Sequence, residues 1–247
     1  MAERLDGTVA LVTGASSGIG AATARRLTAL GATVAAVARR KDRLDDLVAE
    51  GGAALAIEAD LTDRAQAEHA VQAVIDAHGR LDILVNNAGL MLLGTVEAGD
   101  PDQWDRMVQI NVLGQLYVTR AATPHLLAAA EQEPRRVADL INISSSAGHQ
   151  AYAINGVYAL TKFGLNGFTE SLRQEFAPRN VRVHGIAPGG VDTELFSHNS
   201  QPIQDAVLAV DFELLHADDI ADTVEFVVTR PRRASVNSIW IGPTRQL

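Results

Sequence analysis

The chain contains no cysteine. Disulfides, thiolate nucleophiles and thiolate-based metal sites are therefore excluded, and the absence fits a reducing compartment. Lysine is nearly absent too: the only two are Lys41 and Lys162, and arginine carries the rest of the basic charge. No apolar run approaches the roughly 18 residues of a membrane span. The opening MAERLDGTVALVTGASSG sets Glu3, Arg4 and Asp6 ahead of a short apolar run, Val9–Val12. A secretory signal needs a longer one. A soluble cytoplasmic protein is expected. Basic residues fall short of acidic ones, 21 against 30, giving a net charge of −9. Such a surface repels nucleic acid and anionic membrane, and neither is expected as a partner. The seven histidines show no H-E-x-x-H or similar spacing, so no metal site is expected.

What is present is enough apolar sequence for a substantial core. Of 247 residues, 47% are hydrophobic and 21% charged, a balance typical of a globular domain rather than a disordered chain. Short β-branched runs alternate with longer helical patterns. Strands are predicted at 8–12, 33–38, 54–58, 82–85, 138–143, 181–186 and 238–241. Helices are predicted at 18–30, 41–50, 63–78, 157–177 and 218–228, with a long helical region at 101–130 bent near Pro124. The strand segments are apolar on both faces, as a sheet covered on both sides requires. This alternation predicts an α/β fold: a doubly wound, Rossmann-like parallel sheet of about seven strands. No Gly/Ser/Pro-rich linker divides the chain, so 1–247 reads as one domain. The least regular segment, 194–215, is a candidate lid.

After the first strand comes TGASSGIG, with glycines at 14, 18 and 20. The spacing is wider than a strict G-x-G-x-x-G, but the physics is shared. Glycines permit a tight turn and close backbone approach, and the following helix N-terminus faces phosphate. Taken alone, such a turn is as often only a turn. Between a first strand and a first helix it carries more weight. TGASSGIG, the NNAG at 86–89, and Ser145, Tyr158 and Lys162 within SSSAGHQAYAINGVYALTK resemble the short-chain dehydrogenase/reductase family. The resemblance spans nearly the whole chain, with the motifs in the family's order. DILVNNAGLMLLGTVE, FGLNGFTESLRQE and the GPTRQ tail are similar to clavulanate dehydrogenase-like and 3-hydroxy-acid dehydrogenase-like, NADP-dependent members.

The resemblance implies a dinucleotide site. Gly14, Ser16, Ser17, Gly18, Ile19 and Gly20 would meet its phosphates. The second strand ends in Ala38, Arg39 and Arg40. An NAD enzyme needs a carboxylate there for the ribose hydroxyls; Arg39, supported by Arg40, suits a 2′-phosphate instead. NADP(H) is therefore the expected cofactor. Asp60 would bond the adenine amino group, with Leu61 offering backbone, although an acid before a helix also serves as an N-cap. Asn87, Ala88 and Gly89 would border the cofactor, Asn87 also steadying the sheet. Pro188, Gly189, Val191 and Thr193 would seat the nicotinamide amide.

Tyr158 and Lys162 stand four residues apart, on one helix face and about 6 Å apart along the axis. A free tyrosine titrates near about 10, and an adjacent ammonium favours the phenolate. Such a pair alone is weak evidence, since most are helix surface. Ser145, 13 positions earlier and just after the fifth strand, strengthens it, because sites gather at the C-terminal ends of parallel strands. Tyr158 is read as general acid in reduction and base in oxidation. Ser145 would donate to the substrate oxygen, with Ser144 and Ser146 one register away. Lys162 would also bond the nicotinamide ribose. By resemblance, Asn111 holds a proton-relay water. His149 is either a loop histidine on the pocket rim or a substrate contact. Met91, Leu92 and Leu93, with Tyr152, Ile154 and Phe196, are candidates for an apolar pocket wall, or ordinary core.

No arginine or lysine occurs between Arg182 and Arg230. The candidate lid therefore lacks a strong cation to grip a carboxylate or phosphate, and a weakly polar small carbonyl or secondary alcohol is the expected substrate. Oxidation of 3-hydroxy acids or reduction of β-ketoacyl groups is an alternative. A dinucleotide-sensing binding protein on the same fold is another, disfavoured because a sensor has no need of Ser145, Tyr158 and Lys162. In the family, helices such as 101–130 and 157–177 pair between subunits, so a homotetramer is expected, with a dimer second.

Overall fold

The computed structural model describes residues 4–209 and 211–246, and the side chains of 206–208 are not described. The expected domain over 1–247 and lid over 194–215 therefore lie partly outside the described residues. Seven strands form one sheet: β1 Val9–Thr13, β2 Thr33–Ala38, β3 Leu55–Glu58, β4 Ile83–Asn86, β5 Ala138–Ile143, β6 Val181–Pro188 and β7 Ser238–Ile241. Their spatial order is β3-β2-β1-β4-β5-β6-β7, and each neighbouring pair is parallel. The chain winds outward from β1 to β3, then returns to β4 on the other side of β1. That reversal opens a crevice at the carboxyl ends of β1 and β4, where ligands bind in doubly wound sheets.

Among the described residues there are eight α-helices: α1 Gly18–Ala29, α2 Lys41–Ala49, α3 Arg64–His78, α4 Pro101–Val108, α5 Gln115–Ala129, α6 Gly156–Phe176, α7 Gln201–Leu208 and α8 Ala217–Val228. Successive strand residues point to opposite faces, so β1 divides its side chains between two cores. Ala10 and Val12 pack with Leu27 of α1, Leu44 and Leu47 of α2 and Val224 of α8. Val9 and Leu11 pack with Val71 and Val74 of α3, Leu126 of α5 and Phe176 of α6. Each fully buried Leu, Val or Ile contributes about 1.5–3 kcal/mol of transfer free energy. No described helix is long and apolar enough to cross a membrane.

The expected strands and helices are present to within a few residues at their ends, with two differences. The region 101–130 is not one helix bent near Pro124. Pro124 lies inside α5, and the break comes earlier, at a π-helical turn over Gln109–Gly114. That widened turn carries Asn111 inward, fully buried. There its amide donates to Leu90 O at 2.8 Å and accepts from Leu90 N at 2.8 Å. Second, the irregular stretch after Thr193 contains a 3₁₀ turn, Glu194–His198, followed by α7.

Two buried polar networks brace the sheet. Near its carboxyl end, Asn86 and Asn142 are register partners on β4 and β5. The Asn86 amide donates to Asn142 Oδ1 at 3.0 Å and to Thr119 Oγ1 of α5 at 2.9 Å, and Asn142 donates to Thr169 Oγ1 of α6 at 2.8 Å. Near the opposite end, Asp139 of β5 is fully buried. It receives Arg182 Nε at 2.7 Å, Arg135 Nη1 at 2.8 Å and His184 Nε2 at 2.9 Å. Arg182 goes on to the carbonyls of Val228, Arg230 and Ala234, fastening the end of α8 and the approach to β7 beneath the sheet.

Burial by itself would raise the Asp139 carboxyl. The bond from His184 and the charges of Arg135, Arg182 and His184 outweigh it and hold the group well below the usual carboxylate range. A carboxyl lowered in the folded state contributes stability that is complete above its unfolded value of about 4 and is lost as pH falls through the folded value. Replacing Asp139 with Asn leaves two buried guanidinium groups without their counter-charge. The expected cost is about 3–5 kcal/mol at neutral pH, read from urea unfolding midpoints. The wild-type advantage should shrink below about pH 4. Equal stability of the two proteins at pH 7 would contradict this account.

Candidate active site

The crevice at the sheet reversal is a cleft of about 470 Å³. At its floor the ends of β1 and β4 are stitched together. Thr13 Oγ1 accepts the backbone N–H groups of Asn87 at 2.9 Å and Ala88 at 3.1 Å. The Asn87 amide donates to Thr13 O at 2.9 Å and Gly14 O at 3.3 Å. Glycine is required here for space. A Cβ at Gly14 would lie 2.9 Å from Ala88 Cα, and one at Gly20 would lie 2.3 Å from Gly14 O. Gly14 and Gly18 also adopt positive φ, +67° and +51°, which L side chains rarely tolerate.

The turn delivers the start of α1 into the cleft. Ser17 is its N-cap, but the hydroxyl makes no capping bond. The first N–H groups of α1 therefore keep their capacity for an anion. The Ser17 hydroxyl instead meets Arg40 Nη2 at 2.8 Å, and Ser16 Oγ accepts from Arg40 Nε and Nη2 at 3.1 and 3.0 Å. Arg39 is exposed at the rim. Asp60 lines the cleft and bonds the N–H and hydroxyl of Thr62 at 3.0 and 2.8 Å. The N-cap of α3 is Asp63, bonded to Ala65 N and Gln66 N, so the capping role falls to Asp63 and leaves Asp60 on the wall.

On the opposite wall, Ser145 ends the segment after β5 and caps the 3₁₀ turn Ser146–Gly148, accepting from Ala147 N at 3.1 Å. Tyr158 and Lys162 descend from α6, both buried. Ser145 and the Tyr158 ring line the same wall of the cleft. Lys162 Nζ stands 5.8 Å from the Tyr158 ring centroid and donates to Ile143 O at 2.9 Å. Ser144 Oγ turns to Asn166 Oδ1 at 2.6 Å, which distinguishes the two neighbouring serines. Burial pushes the Tyr158 phenol up to about 12, against the lowering influence of Ser145. Burial also brings Lys162 down to about 8. The ammonium was expected to draw the phenol downward. In the protein alone, burial raises the phenol and lowers the ammonium, so the resting pair is a neutral phenol beside a weakened cation.

Most of the expected residues converge. Gly14, Ser16, Ser17, Gly18, Ile19, Arg39, Arg40, Asp60, Leu61, Asn87, Ala88, Gly89, Met91, Ser145, Tyr158, Lys162, Pro188, Gly189, Val191 and Thr193 all line the cleft. Phe196 joins them; Leu92, Leu93, Tyr152 and Ile154 are not on its lining. Gly20 lies under the turn. Asn111 lies behind the lining, its amide 3.2 Å from Thr161 Oγ1 of α6. His149 turns away to stack on Trp240 of β7, ring centroids 5.2 Å apart. Tyr152 is about half exposed.

Three charged lining residues had no motif to announce them: Arg106 from α4, and Glu194 and His198 from the 3₁₀ turn after Thr193. Glu194 Oε2 receives Arg40 Nη1 at 2.8 Å and Glu194 Oε1 receives Arg43 Nη1 at 2.6 Å. Their hydrogen bonds, Arg43 first, draw the Glu194 carboxyl down to about 2. His198 is lowered by partial burial and by the charges of Arg39, Arg106 and Arg40. The donor set suits an anionic dinucleotide: an uncapped helix start, two serine hydroxyls, the arginine cluster, and an acid on the wall.

A family model of the short chain dehydrogenases matches residues 8–204. A serine 3-dehydrogenase of Agrobacterium fabrum is 37% identical, the match covering 98% of this chain and 96% of that one. An uncharacterised oxidoreductase of Staphylococcus epidermidis is 35% identical over 95% of this chain and 96% of its own. Among solved structures, a serine dehydrogenase in closed form complexed with NADP+ superposes with a TM-score of 0.89 at 31% identity, covering 97% of this chain and 96% of that one. A 3-ketoacyl-(acyl-carrier-protein) reductase from Brucella melitensis complexed with NADH gives 0.86 at 30%, covering 98% and 100%. The family match spans the glycine turn, the sheet reversal and the Ser145–Tyr158–Lys162 wall, and the chain belongs to the short-chain dehydrogenase family.

Proposed function

We propose that this protein is an NADP(H)-dependent oxidoreductase that moves a hydride between nicotinamide and a small, weakly polar carbonyl or secondary alcohol. The observation that carries this reading is that Ser145, Tyr158 and Lys162 line the same cleft as Arg39 and Arg40. Relatives crystallised with NADP+ support the cofactor. When bound, the nicotinamide supplies or accepts the hydride; the protein handles the proton.

In reduction, Ser145 donates a hydrogen bond to the substrate oxygen as negative charge grows there, and Tyr158 delivers the proton. A phenol near 12 remains protonated at neutral pH and is suited to give its proton to a forming alkoxide. Oxidation reverses the step, with Tyr158 accepting the proton while Lys162 supports the phenolate. Asn111 ties the loop at Leu90 to α6 through Thr161 and so holds that helix against the cleft; the relay water is part of this proposal. The segment 194–215 is taken as the lid, and 1–247 as one domain. Val108, Leu113, Leu160 and Phe163 are apolar and exposed, which supports a homotetramer joined through these helices, with a dimer second.

Arg106 of α4 also lines the cleft, and the weakly polar reading takes it as paired with the cofactor side rather than with substrate. The relationship to a serine 3-dehydrogenase favours a second reading, oxidation of 3-hydroxy acids. His149 and Tyr152 are retained as candidate substrate contacts only in a form of the cleft that draws the 149–154 loop inward.

Three outcomes are expected. Tyr158→Phe should lower kcat for carbonyl reduction by about 10²–10⁴-fold while calorimetry shows NADPH still bound. Binding without turnover by the wild type across a wide panel would instead favour a dinucleotide sensor. In a carbonyl and alcohol panel followed at 340 nm, NADPH should outperform NADH, and neutral esters should be turned over at least as well as the matching free carboxylates. A strong preference for carboxylates would overturn the weakly polar assignment. Lys162 loses its charge as pH rises through about 8. The kcat/KM for reduction should therefore be level below that pH and fall above it, and a profile that stays flat to about pH 10 would remove the ammonium from the reaction.

A further inference from the structure

The segment that follows Thr193 crosses the mouth of the cleft and is fastened at both ends. At one end each oxygen of Glu194 takes one guanidinium, Arg40 Nη1 at 2.8 Å and Arg43 Nη1 at 2.6 Å. At the other, Asn199 is buried, its amide donating to Met91 O at 3.0 Å and accepting from Leu93 N at 2.7 Å. A single 3₁₀ turn, Glu194–His198, spans the two.

Glu194 is 44% exposed, so nothing in the packing requires a carboxylate there. A carboxylate set between two guanidinium groups presents them with two anionic oxygens, as a phosphate monoester would. Arg40 is therefore already engaged by an internal anion, while Arg39 beside it makes no hydrogen bond or ion pair among the described residues. A dinucleotide that carries a 2′-phosphate brings a second anion to the same cations. Two anions around Arg40 repel each other, and one must yield. A dinucleotide without that phosphate raises no such conflict.

We propose that Glu194 is a specificity-determining residue for the cofactor: it competes with the 2′-phosphate for Arg40 and Arg43, and so narrows the preference for the phosphorylated nucleotide. This rests on the NADP(H) reading above. Binding of the phosphate frees the Glu194 end of the segment, whereas Asn199 keeps the other end on the Met91–Leu93 loop. The cofactor's charge is thereby transmitted to the cover of the substrate pocket.

The test is calorimetric, with NADPH and NADH titrated separately into wild type and Glu194→Gln, no substrate present. Glutamine keeps the size and the hydrogen-bonding oxygen but removes the charge. For an exposed pair, Glu194→Gln should tighten NADPH by about two- to fivefold and leave NADH within about twofold, so that the ratio of the two dissociation constants moves toward NADPH. An unchanged ratio, or weaker NADPH binding because Glu194 orients the arginines for the phosphate, overturns the proposal while leaving the cofactor reading intact. Failure of wild type to bind either nucleotide overturns both.

Discussion

The fold of the cleft depends on a close approach between two pieces of backbone, the turn at Gly14 and the loop at Ala88. Where β1 ends, the chain must turn into α1 within a few residues while the loop after β4 passes directly beneath. A Cβ on Gly20 would lie 2.3 Å from Gly14 O, so the position admits no side chain. Everything that makes the cleft a cleft depends on that contact. It sets the angle at which α1 enters, and with it the direction of its first N–H groups. It also fixes the loop at Asn87–Gly89, whose continuation is clasped by Asn111. Thr13 and Asn87 then exchange hydrogen bonds across the gap, so the approach is held by polar partners as well as permitted by missing side chains.

A second constraint is the cost of charge in a dry sheet, and the protein meets it differently at the two ends of β5. At one end Asp139 is surrounded by Arg135, Arg182 and His184 and is held ionised. At the other, Lys162 has a backbone carbonyl and the edge of a phenol for company, and its proton is held less tightly. The first arrangement is matched and static. The second is short of counter-charge, and that shortage is what leaves Tyr158 and Lys162 responsive to whatever enters the cleft.

Much of this was legible in the chain. The strands announce themselves because both faces are buried, so each is an unbroken apolar run. The glycine turn, NNAG and the Ser145, Tyr158 and Lys162 spacing are local patterns whose meaning survives without coordinates. The converging residues were found because the C-terminal ends of parallel strands lie together by topology. What was not legible depends on side chains meeting across long separations. Nothing in the sequence near Glu194 announces a link to Arg40 and Arg43, some 150 positions earlier. His149 looked like a rim residue because its neighbours are catalytic, and its partner Trp240 sits on a strand contributed by the far end of the chain. Arg106 was invisible for a subtler reason: which face of α4 meets the cleft depends on how that helix joins the next.

That junction, the π-helical turn at 109–114, has a geometric consequence. Each residue of an α-helix advances the azimuth by about 100°, and a π turn holds one residue more than an α turn. It therefore works as a phase shifter. In one unbroken α-helix Met107 and Val118 would share a face to within about 20°; the π turn offsets them, so Met107 packs with Met91, Leu92 and Tyr158 while Val118, Ala122 and Leu126 pack on the core with β1. The inward rhythm of the sequence runs on unbroken while the backbone steps beneath it, and the step falls where Asn111 is held inside.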